Sequence, residues 1–338
     1  MTQRNTFVLV ALAIATVLLF FLHLLIGPVP LSAQVVMETL FSGSVADGSS
    51  RIVLGVRLPE ALTAILAGSG LAACGLLMQT LFRNPLAGPS VLGLSSGASL
   101  GVAVLMLARP VWILAALPPD LAVVIGSFLG AIGVLLLIML ADRRMGDGVA
   151  LLIVGLMVGY LCGAIIDVLQ VASPGSALKG FVLWGMGSFS SVVNDRLLWL
   201  ALPVITGLLA AVLLMKPLNA LLLGDAYASS LGVPVLRTRR LIMWTTGLLA
   251  GTVTAFCGPI AFLGLATPHV ARGLCRTSDH ATLLPITIVC GAFLALFCDL
   301  IVKLPSVSGL PLNAVTSLLG APVVAWVLWS GKRWARTA

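Results

Sequence analysis

Charged residues are scarce in this chain. Asp, Glu, Lys and Arg make up only 9% of the 338 residues, against about 25% in a typical soluble domain, while 60% of the residues are hydrophobic. A soluble fold could not hide that much apolar surface, because polar groups must cover much of its exterior. The composition excludes an ordinary soluble protein and predicts an all-α integral membrane protein.

Carboxylates are the rarest charged groups. The 11 Asp and Glu residues all lie in polar segments or near the ends of apolar runs. Ion-driven carriers usually keep a carboxylate or an ion pair deep in the bilayer. An ion-coupled secondary carrier for an organic solute is therefore the weaker alternative.

Catalytic and nucleotide-binding motifs are missing as well. The sequence contains no G-x-x-x-x-G-K-[ST], no H-E-x-x-H and no G-x-S-x-G, and its three histidines are far apart. We therefore predict no catalytic residue, no metal site and no cofactor in this chain, so that any ATP and Mg²⁺ would be bound by a partner. A membrane-embedded enzyme is disfavoured for the same reason.

The cysteines and the net charge of +8 point to no further chemistry. The six cysteines form no C-x-x-C pair, which predicts small packing residues rather than disulfides or metal ligands. The Lys and Arg residues lie between apolar runs instead of forming a dense patch, so we expect no nucleic-acid partner.

Ten apolar runs predict transmembrane helices joined by short loops. The predicted spans are 7–26, 58–82, 90–108, 121–141, 149–169, 197–215, 241–257, 259–274, 281–302 and 311–329. The first is long enough to cross a bilayer, which favours an uncleaved span over a signal peptide. The eighth is short, and we expect an interruption at Pro268-His269.

Basic residues lie unequally on the two sides of these spans. With the N-terminus in the cytoplasm, 13 of the 19 Lys and Arg residues fall on the cytoplasmic side and 6 on the outer side. The positive-inside rule then places both termini in the cytoplasm. We predict one transmembrane domain over residues 1–338.

The largest predicted cytoplasmic loop covers residues 216–240. Residues 218–230 suit a short helix, which Gly232 and Pro234 can end. Such a helix can fit a groove on a soluble partner, although an ordinary solvated loop explains the same composition. Two outer segments, 27–57 and 170–196, are also long enough for short helices at the membrane surface.

A short internal repeat relates two distant segments. Residues 88–94, Gly-Pro-Ser-Val-Leu-Gly-Leu, are similar to residues 258–265 with one insertion. In the predicted topology the two segments open spans that run in opposite directions. Inverted repeats of this kind are frequent in transporters.

A series of short motifs runs in order along the chain from about residue 50 to 332. It includes Arg57-Leu58-Pro59, Gln79, Arg83-Asn84-Pro85-Leu86-Ala87, Leu92-Gly93, Gly224-Asp225, Leu231-Gly232-Val233, Gly258-Pro259, Pro268-His269, Arg272, Leu310-Pro311 and Gly320-Ala321-Pro322. Together these motifs resemble the FecCD-type permeases of bacterial ABC importers for iron-siderophore, haem and cobalamin. Each motif alone is weak, but the ordered combination is specific.

The resemblance implies a ten-helix permease of the type II ABC importer class, which pairs with a second copy in the bacterial cytoplasmic (inner) membrane. Its partners would be a cytoplasmic ABC ATPase dimer and a periplasmic or lipid-anchored substrate-binding protein. The loop 216–240 would then be a coupling loop. Its implied ATPase-coupling residues are Gly224, Asp225, Ala228, Ser229, Leu231 and Gly232.

The resemblance also implies that Arg57, Glu60 and Lys303 lie where the substrate-binding protein docks. The family often has Arg-Leu-Pro-Arg here, and Glu60 replaces the last arginine of that pattern. Charges opposite a partner chiefly set the association rate and the register. We therefore expect a compensating basic residue on the binding protein of this system.

The fifth and tenth spans would flank a pathway at the axis of the permease dimer. Position along the fifth span assigns its lining to Leu151, Val154, Gly155 and Val158. The cargo is not readable from this chain, because large chelates are recognised mainly by the binding protein. Iron-siderophore is the first candidate, followed by haem and cobalamin.

Overall fold

The computed structural model describes residues 2–42, 48–90, 92–108, 118–145, 148–304 and 309–330. Within these ranges the chain forms α-helices and short connections without any strand, which confirms the predicted all-α class. The helices are α1 (Gln3–Leu25), α2 (Ala33–Ser42), α3 (Gly48–Ile52), α4 (Leu58–Leu81), α5 (Leu94–Met106), α6 (Pro119–Met145), α7 (Gly148–Ala172), α8 (Gly175–Gly185), α9 (Asn194–Leu213), α10 (Met215–Leu222), α11 (Asp225–Ser230), α12 (Val235–Cys257), α13 (Leu263–Cys275), α14 (His280–Lys303) and α15 (Leu312–Ser330).

Seven helices in the described ranges are long and apolar enough to cross a membrane. They are α1, the continuous helix that contains α3 and α4, and α6, α7, α9, α12 and α14. A π-helical turn, Val53–Arg57, joins α3 to α4, so the second helix starts at Gly48 and not at the predicted residue 58. The segments 27–57 and 170–196, which were predicted to lie on the outer side, contain short helices, α2 and α8 respectively.

The predicted third and eighth spans are short helices. α5 and α13 have 13 residues each, and at 1.5 Å per residue each rises only about 20 Å, less than the roughly 30 Å hydrocarbon core. Each begins within one of the two repeat-like segments and is preceded by a residue in the left-handed region, Gly93 (φ 73°) or Phe262 (φ 60°). This shared geometry supports a structural relation between the two segments.

The predicted interruption of the eighth span at Pro268-His269 is wrong. α13 continues through Pro268 to Cys275, and the irregular backbone precedes it, at residues 258–262. Pro268 cannot donate the helical hydrogen bond to the carbonyl oxygen of Gly264. The helix continues because that single missing bond is tolerated where neighbouring helices pack closely around it.

α4 is the central helix of the described bundle. All of its residues from Ala67 to Leu81 are buried, and it packs against α9, α12, α13 and α14. In contrast, α1, α7 and α9 expose many of their apolar side chains. All six cysteines are buried, which confirms their role as packing residues. The apolar exterior is what lipid or a second membrane subunit can cover.

Glycines bring α5 and α6 into direct backbone contact. A Cβ atom on Gly97 or Gly101 would overlap the backbone of Gly130 or Gly126 on α6. Small residues allow such close packing, which replaces the hydrophobic driving force that is absent between helices in lipid. α5 and α6 are therefore tightly joined along their length.

Candidate functional site

The segment between α9 and α12 contains two short helices rather than the single one predicted over residues 218–230. α10 ends at Leu222, Gly224 (φ 105°) turns the chain, and α11 follows from Asp225 to Ser230. Gly232 (φ 81°) then redirects the chain into Pro234 and α12, as the sequence indicated. Both turns use backbone angles that glycine adopts without a steric penalty.

α11 presents a mixed polar and apolar face to its surroundings. The Tyr227 side chain is 50% exposed and Leu231 is 58% exposed, and Ser229 and Gly232 are exposed beside them. Ala228 is fully buried and holds the opposite face against the bundle. Exposed aromatic and leucine side chains on a short helix are suited to a groove on a partner.

Ion pairs fasten the first residue of α11 to the bundle. The Asp225 carboxylate lies 3.1 Å from the guanidinium of Arg83 and 3.3 Å from that of Arg239 on α12. Arg239 also donates to Asp142 on α6 at 3.0 Å. The sequence singled out Asp225, but Arg239 and Asp142 were missed because each is an isolated charge without a motif.

The Arg239–Asp142 pair differs from the Arg83–Asp225 pair in burial. The Arg239 and Asp142 side chains are at most 7% exposed. The Arg83 side chain is 53% exposed and that of Asp225 is 40% exposed. Removing one partner of a buried pair typically costs about 3–5 kcal/mol, against roughly 0.2–1 kcal/mol for an exposed pair. The pair with Asp142 therefore holds Arg239 firmly against α6.

Asn219 attaches α10 to the start of α14. Its amide donates to the Asp279 carboxylate at 2.7 Å, and its oxygen lies 2.8 Å from the backbone N–H of His280 and 2.7 Å from the ring Nδ1 of His280. Partial burial opposes ionisation of Asp279, but hydrogen bonds from Asn219, the Ala281 N–H and Thr282 hold the pKa of its carboxyl below the usual range. The segment between α9 and α12 is thus anchored at α10 as well as at α11.

Replacing Asn219 with Leu should destabilise the protein by about 1–3 kcal/mol, because the buried His280 at the start of α14 loses its hydrogen bonds to the Asn219 oxygen. We expect a clear drop in the thermal unfolding temperature of the purified protein in detergent. Asn194→Leu is the matched control, since the Asn194 amide makes a single exposed hydrogen bond, to the Leu54 carbonyl. Equal shifts for the two variants would contradict the anchoring role.

The Arg83–Ala87 motif is held against α13. His269 lies 2.7 Å from the carbonyl oxygen of Pro85, and Arg272 donates to Gln79 at 2.5 Å. Arg83 itself adopts a left-handed conformation, with φ 46°. This network fixes the chain after α4 so that the Arg83 guanidinium reaches Asp225.

Two of the three predicted docking residues, Glu60 and Lys303, form a buried ionic cluster with Asp299 and His23, the Lys303 cluster, between α1, α4 and α14. The Lys303 ammonium lies 2.5 Å from Glu60 and 3.7 Å from Asp299, whose carboxylate lies 2.6 Å from His23. Arg57 is only 3% exposed. The charges of Glu60 and Lys303 compensate each other inside the chain, and their docking role stays a prediction.

Arg57 closes the carboxyl end of α1. Its guanidinium donates to the carbonyl oxygens of Leu24 at 2.7 Å and Leu25 at 2.9 Å, and also contacts that of Val29. Carbonyls at a helix end lack helical partners and are stabilised by a cation. Arg57 therefore joins α1 to the π-helical turn.

The four predicted pathway residues lie on the inward face of α7. Leu151 and Gly155 are buried, and Val154 and Val158 are half-buried against the core of the same chain. The opposite face exposes apolar side chains: Ile153, Leu156, Met157, Tyr160 and Leu161. The pathway assignment is a prediction that this packing leaves open.

These features define a polytopic helical membrane protein with an anchored, partly exposed helix between two of its spans. Residues 15–330 match the model of the FecCD transport family. The chain therefore belongs to the FecCD transport family, and it is a multi-pass protein of the cytoplasmic membrane.

Named relatives and a solved structure agree with this membership. The chain is 37% identical to the vitamin B12 import system permease protein BtuC of Klebsiella pneumoniae, with 81% of each chain covered. It is 36% identical to the hemin transport system permease protein HmuU of Yersinia pestis, with 86% of this chain and 87% of the relative covered. An inward-facing metal-chelate type ABC transporter superposes with a TM-score of 0.82 at 29% identity, covering 96% of this chain and 99% of that chain.

Proposed function

We propose that this chain is the permease subunit of an ATP-driven importer that carries a metal chelate, such as cobalamin, haem or an iron-siderophore, across the cytoplasmic membrane. The observation that carries the proposal is α11, a short helix with exposed Tyr227 and with exposed Leu231 at its end, which is held by ion pairs to Arg83 after α4 and to Arg239 on α12. The relatives of the chain named above are permeases of import systems for vitamin B12 and haemin. Family membership favours this function over an ion-coupled carrier.

ATP hydrolysis belongs to a partner in this proposal. A cytoplasmic ABC ATPase dimer would bind ATP and Mg²⁺ and receive α11 in a groove, with Gly224, Asp225, Ala228, Ser229, Leu231 and Gly232 forming or shaping the contact. A periplasmic or lipid-anchored substrate-binding protein would deliver the cargo on the other side. Both termini would be cytoplasmic, and α5, α13 and α15 would complete ten membrane segments.

A second copy of the chain would complete the pathway. The exposed apolar faces of α1, α7 and α9 are available to lipid and to a second subunit. If the pathway lies between two copies, the wall contributed by α7 would come from its exposed face at Ile153, Met157 and Tyr160. The inward residues Leu151, Val154, Gly155 and Val158 would then support that wall from behind.

Co-purification and uptake test the function directly. The permease, produced together with its cognate ATPase and binding protein, should retain the ATPase on an affinity column. The complex in proteoliposomes should take up cyanocobalamin, haemin or a ferric siderophore only when ATP is supplied. Uptake driven by a proton or sodium gradient without ATPase would contradict the proposal.

Replacing Gly232 with Val should uncouple transport. Gly232 has φ 81° and open space around its Cα, so a valine meets no neighbour but must leave this conformation. The left-handed region costs an L-residue about 1–2 kcal/mol, and the turn after α11 should shift to relieve that cost. We expect a loss of about tenfold in ATP-driven uptake with the protein still folded. Gly133→Val on α6, which also meets no neighbour, is the control, and normal uptake by Gly232→Val would count against the coupling role.

A further inference from the structure

We infer that Arg239 is the residue through which movement of α11 enters the helix bundle, because it joins Asp225 on α11 to Asp142 on α6. The inference rests on the proposed function, since it requires that a partner moves α11. It adds a positioning role for two residues, Arg239 and Asp142, that no motif singles out. The result is a defined mechanical link between the partner-facing helix and a membrane helix.

The geometry makes Arg239 a bridge between two carboxylates. One guanidinium nitrogen lies 3.3 Å from Asp225, and the other lies 3.0 Å from Asp142. Asp225 opens α11, and Asp142 lies near the carboxyl end of α6. A planar guanidinium holds two such partners in a fixed relative orientation, which a flexible lysine ammonium does not.

The link through Arg239 is favoured over the one through Arg83. Arg83 contacts the same Asp225 carboxylate, but that pair is mostly open to solvent, where water and salt weaken it. Arg239 and Asp142 are both buried, so separating them would leave an uncompensated charge. The contact that joins Arg239 to α11 is its 3.3 Å pair with Asp225, whose side chain is 40% exposed, but the Arg239 side chain is only 7% exposed. Movement of Asp225 therefore reaches a guanidinium that the buried Asp142 pair fixes to α6, whereas the 53% exposed Arg83 side chain can yield.

Close backbone packing carries the displacement beyond α6. The glycines of α5 and α6 leave no space between these helices, so α5 follows α6. At the start of α5, a Cβ on Gly93 would lie 2.8 Å from the carbonyl oxygen of Gly155 on α7. Densely packed contacts of this kind transmit strain, because the interior has few voids to absorb it. Arg239 thereby connects α11 to the helix on which the pathway wall is proposed.

A purely structural role for the pair is the competing explanation, and a paired apolar replacement separates the two. Asp142→Leu combined with Arg239→Met removes both charges together, a change that leaves many proteins equally or more stable. The single variant Asp142→Asn keeps the side-chain shape and weakens the pair. Asp120→Asn is the matched control, because Asp120 lies at the other end of α6 and pairs with Arg196 at 3.1 Å in an exposed position.

Each variant is assembled with its ATPase and binding protein in proteoliposomes, and three quantities are measured. They are the thermal unfolding temperature, the rate of ATP hydrolysis, and the uptake of cyanocobalamin, haemin and a ferric siderophore per ATP hydrolysed. We expect the double variant to unfold at the wild-type temperature, bind the ATPase and hydrolyse ATP. Its uptake per ATP should fall about tenfold, with a smaller fall for Asp142→Asn and none for Asp120→Asn.

The possible results separate this inference from the proposed function. A stable double variant with wild-type uptake per ATP overturns the role of Arg239 and leaves the permease function intact. An equal fall for Asp120→Asn also overturns it, because the effect would then not depend on the link to α11. If the wild-type complex shows no ATP-driven uptake of any of the three compounds, the proposed function itself fails and the inference fails with it.

Discussion

Replacing Gly75 with Ala should remove most of the folded protein from the membrane. Gly75 lies in the buried second half of α4, and a Cβ atom at this position would overlap the carbonyl oxygen of Gly264 on α13. Ordinary overpacking costs about 1–3 kcal/mol, because side chains can rotate away. A backbone carbonyl cannot rotate away, so we expect a larger cost, which α4 and α13 could avoid only by separating.

The role of Pro268 explains why this contact is so close. Pro268 has no N–H to offer the Gly264 carbonyl, so this oxygen is free to approach the α-hydrogens of Gly75. Weak Cα–H···O contacts of this type recur where helices pack closely. The structure thus pairs a proline on α13 with a glycine on α4.

The yield of monodisperse protein in detergent and its thermal unfolding temperature measure this effect. Gly133→Ala is the matched control, because an added Cβ on α6 at that position meets no atom within 4 Å and alanine favours a helix over glycine. The control should retain the wild-type yield. A Gly75→Ala protein with normal yield and unfolding temperature would refute the packing argument.

The Lys303→Met variant is expected to lose about 3–5 kcal/mol of stability, because it leaves buried carboxylates without their cation. The Lys303 ammonium serves both Glu60 and Asp299 in the structure. Lys179→Met on α8 is the control, since Lys179 is exposed on a short helix. A further change of Glu60→Gln in the Lys303→Met background should restore part of the stability by removing one unpaired charge.

This experiment also distinguishes an internal role of the Lys303 cluster from docking. A residue used chiefly to attract a partner would tolerate replacement by Met without a change in the unfolding temperature, and the affinity for the binding protein would fall instead. Because Glu60 and Lys303 are buried, we expect the opposite result: a large fall in the unfolding temperature and a smaller change in the affinity for the binding protein. An unchanged unfolding temperature for Lys303→Met would show that the cluster contributes no stability.

Long apolar runs made most of the helices predictable. Seven of the ten predicted spans correspond to helices long enough to cross a bilayer, because such runs in lipid must satisfy their own backbone hydrogen bonds. The short helices α5 and α13 were overestimated in length. Their neighbouring turns at Gly93 and Phe262 contain apolar residues, so hydropathy alone does not separate turn from helix there.

In the segment between α9 and α12, some features were also predictable from the sequence and others were not. Asp225, Gly232 and the end of α11 were recognisable from the local sequence, because glycines and prolines limit short helices. Asp142 and Arg239 are 97 positions apart, and nothing local indicates that they meet. The same applies to Glu60 and Lys303, which look like surface charges at span ends but are buried together.

The sequence by itself determined that lipid surrounds this protein and that it is an all-α membrane protein of a recognisable family. Apolar runs of this length can persist only in lipid, and ordered motifs are sufficient to indicate a family. Tertiary structure alone decided which charges are neutralised internally and which helices touch through their backbones. These depend on contacts between residues distant in the chain, whose distances and burial arise only when the helices pack.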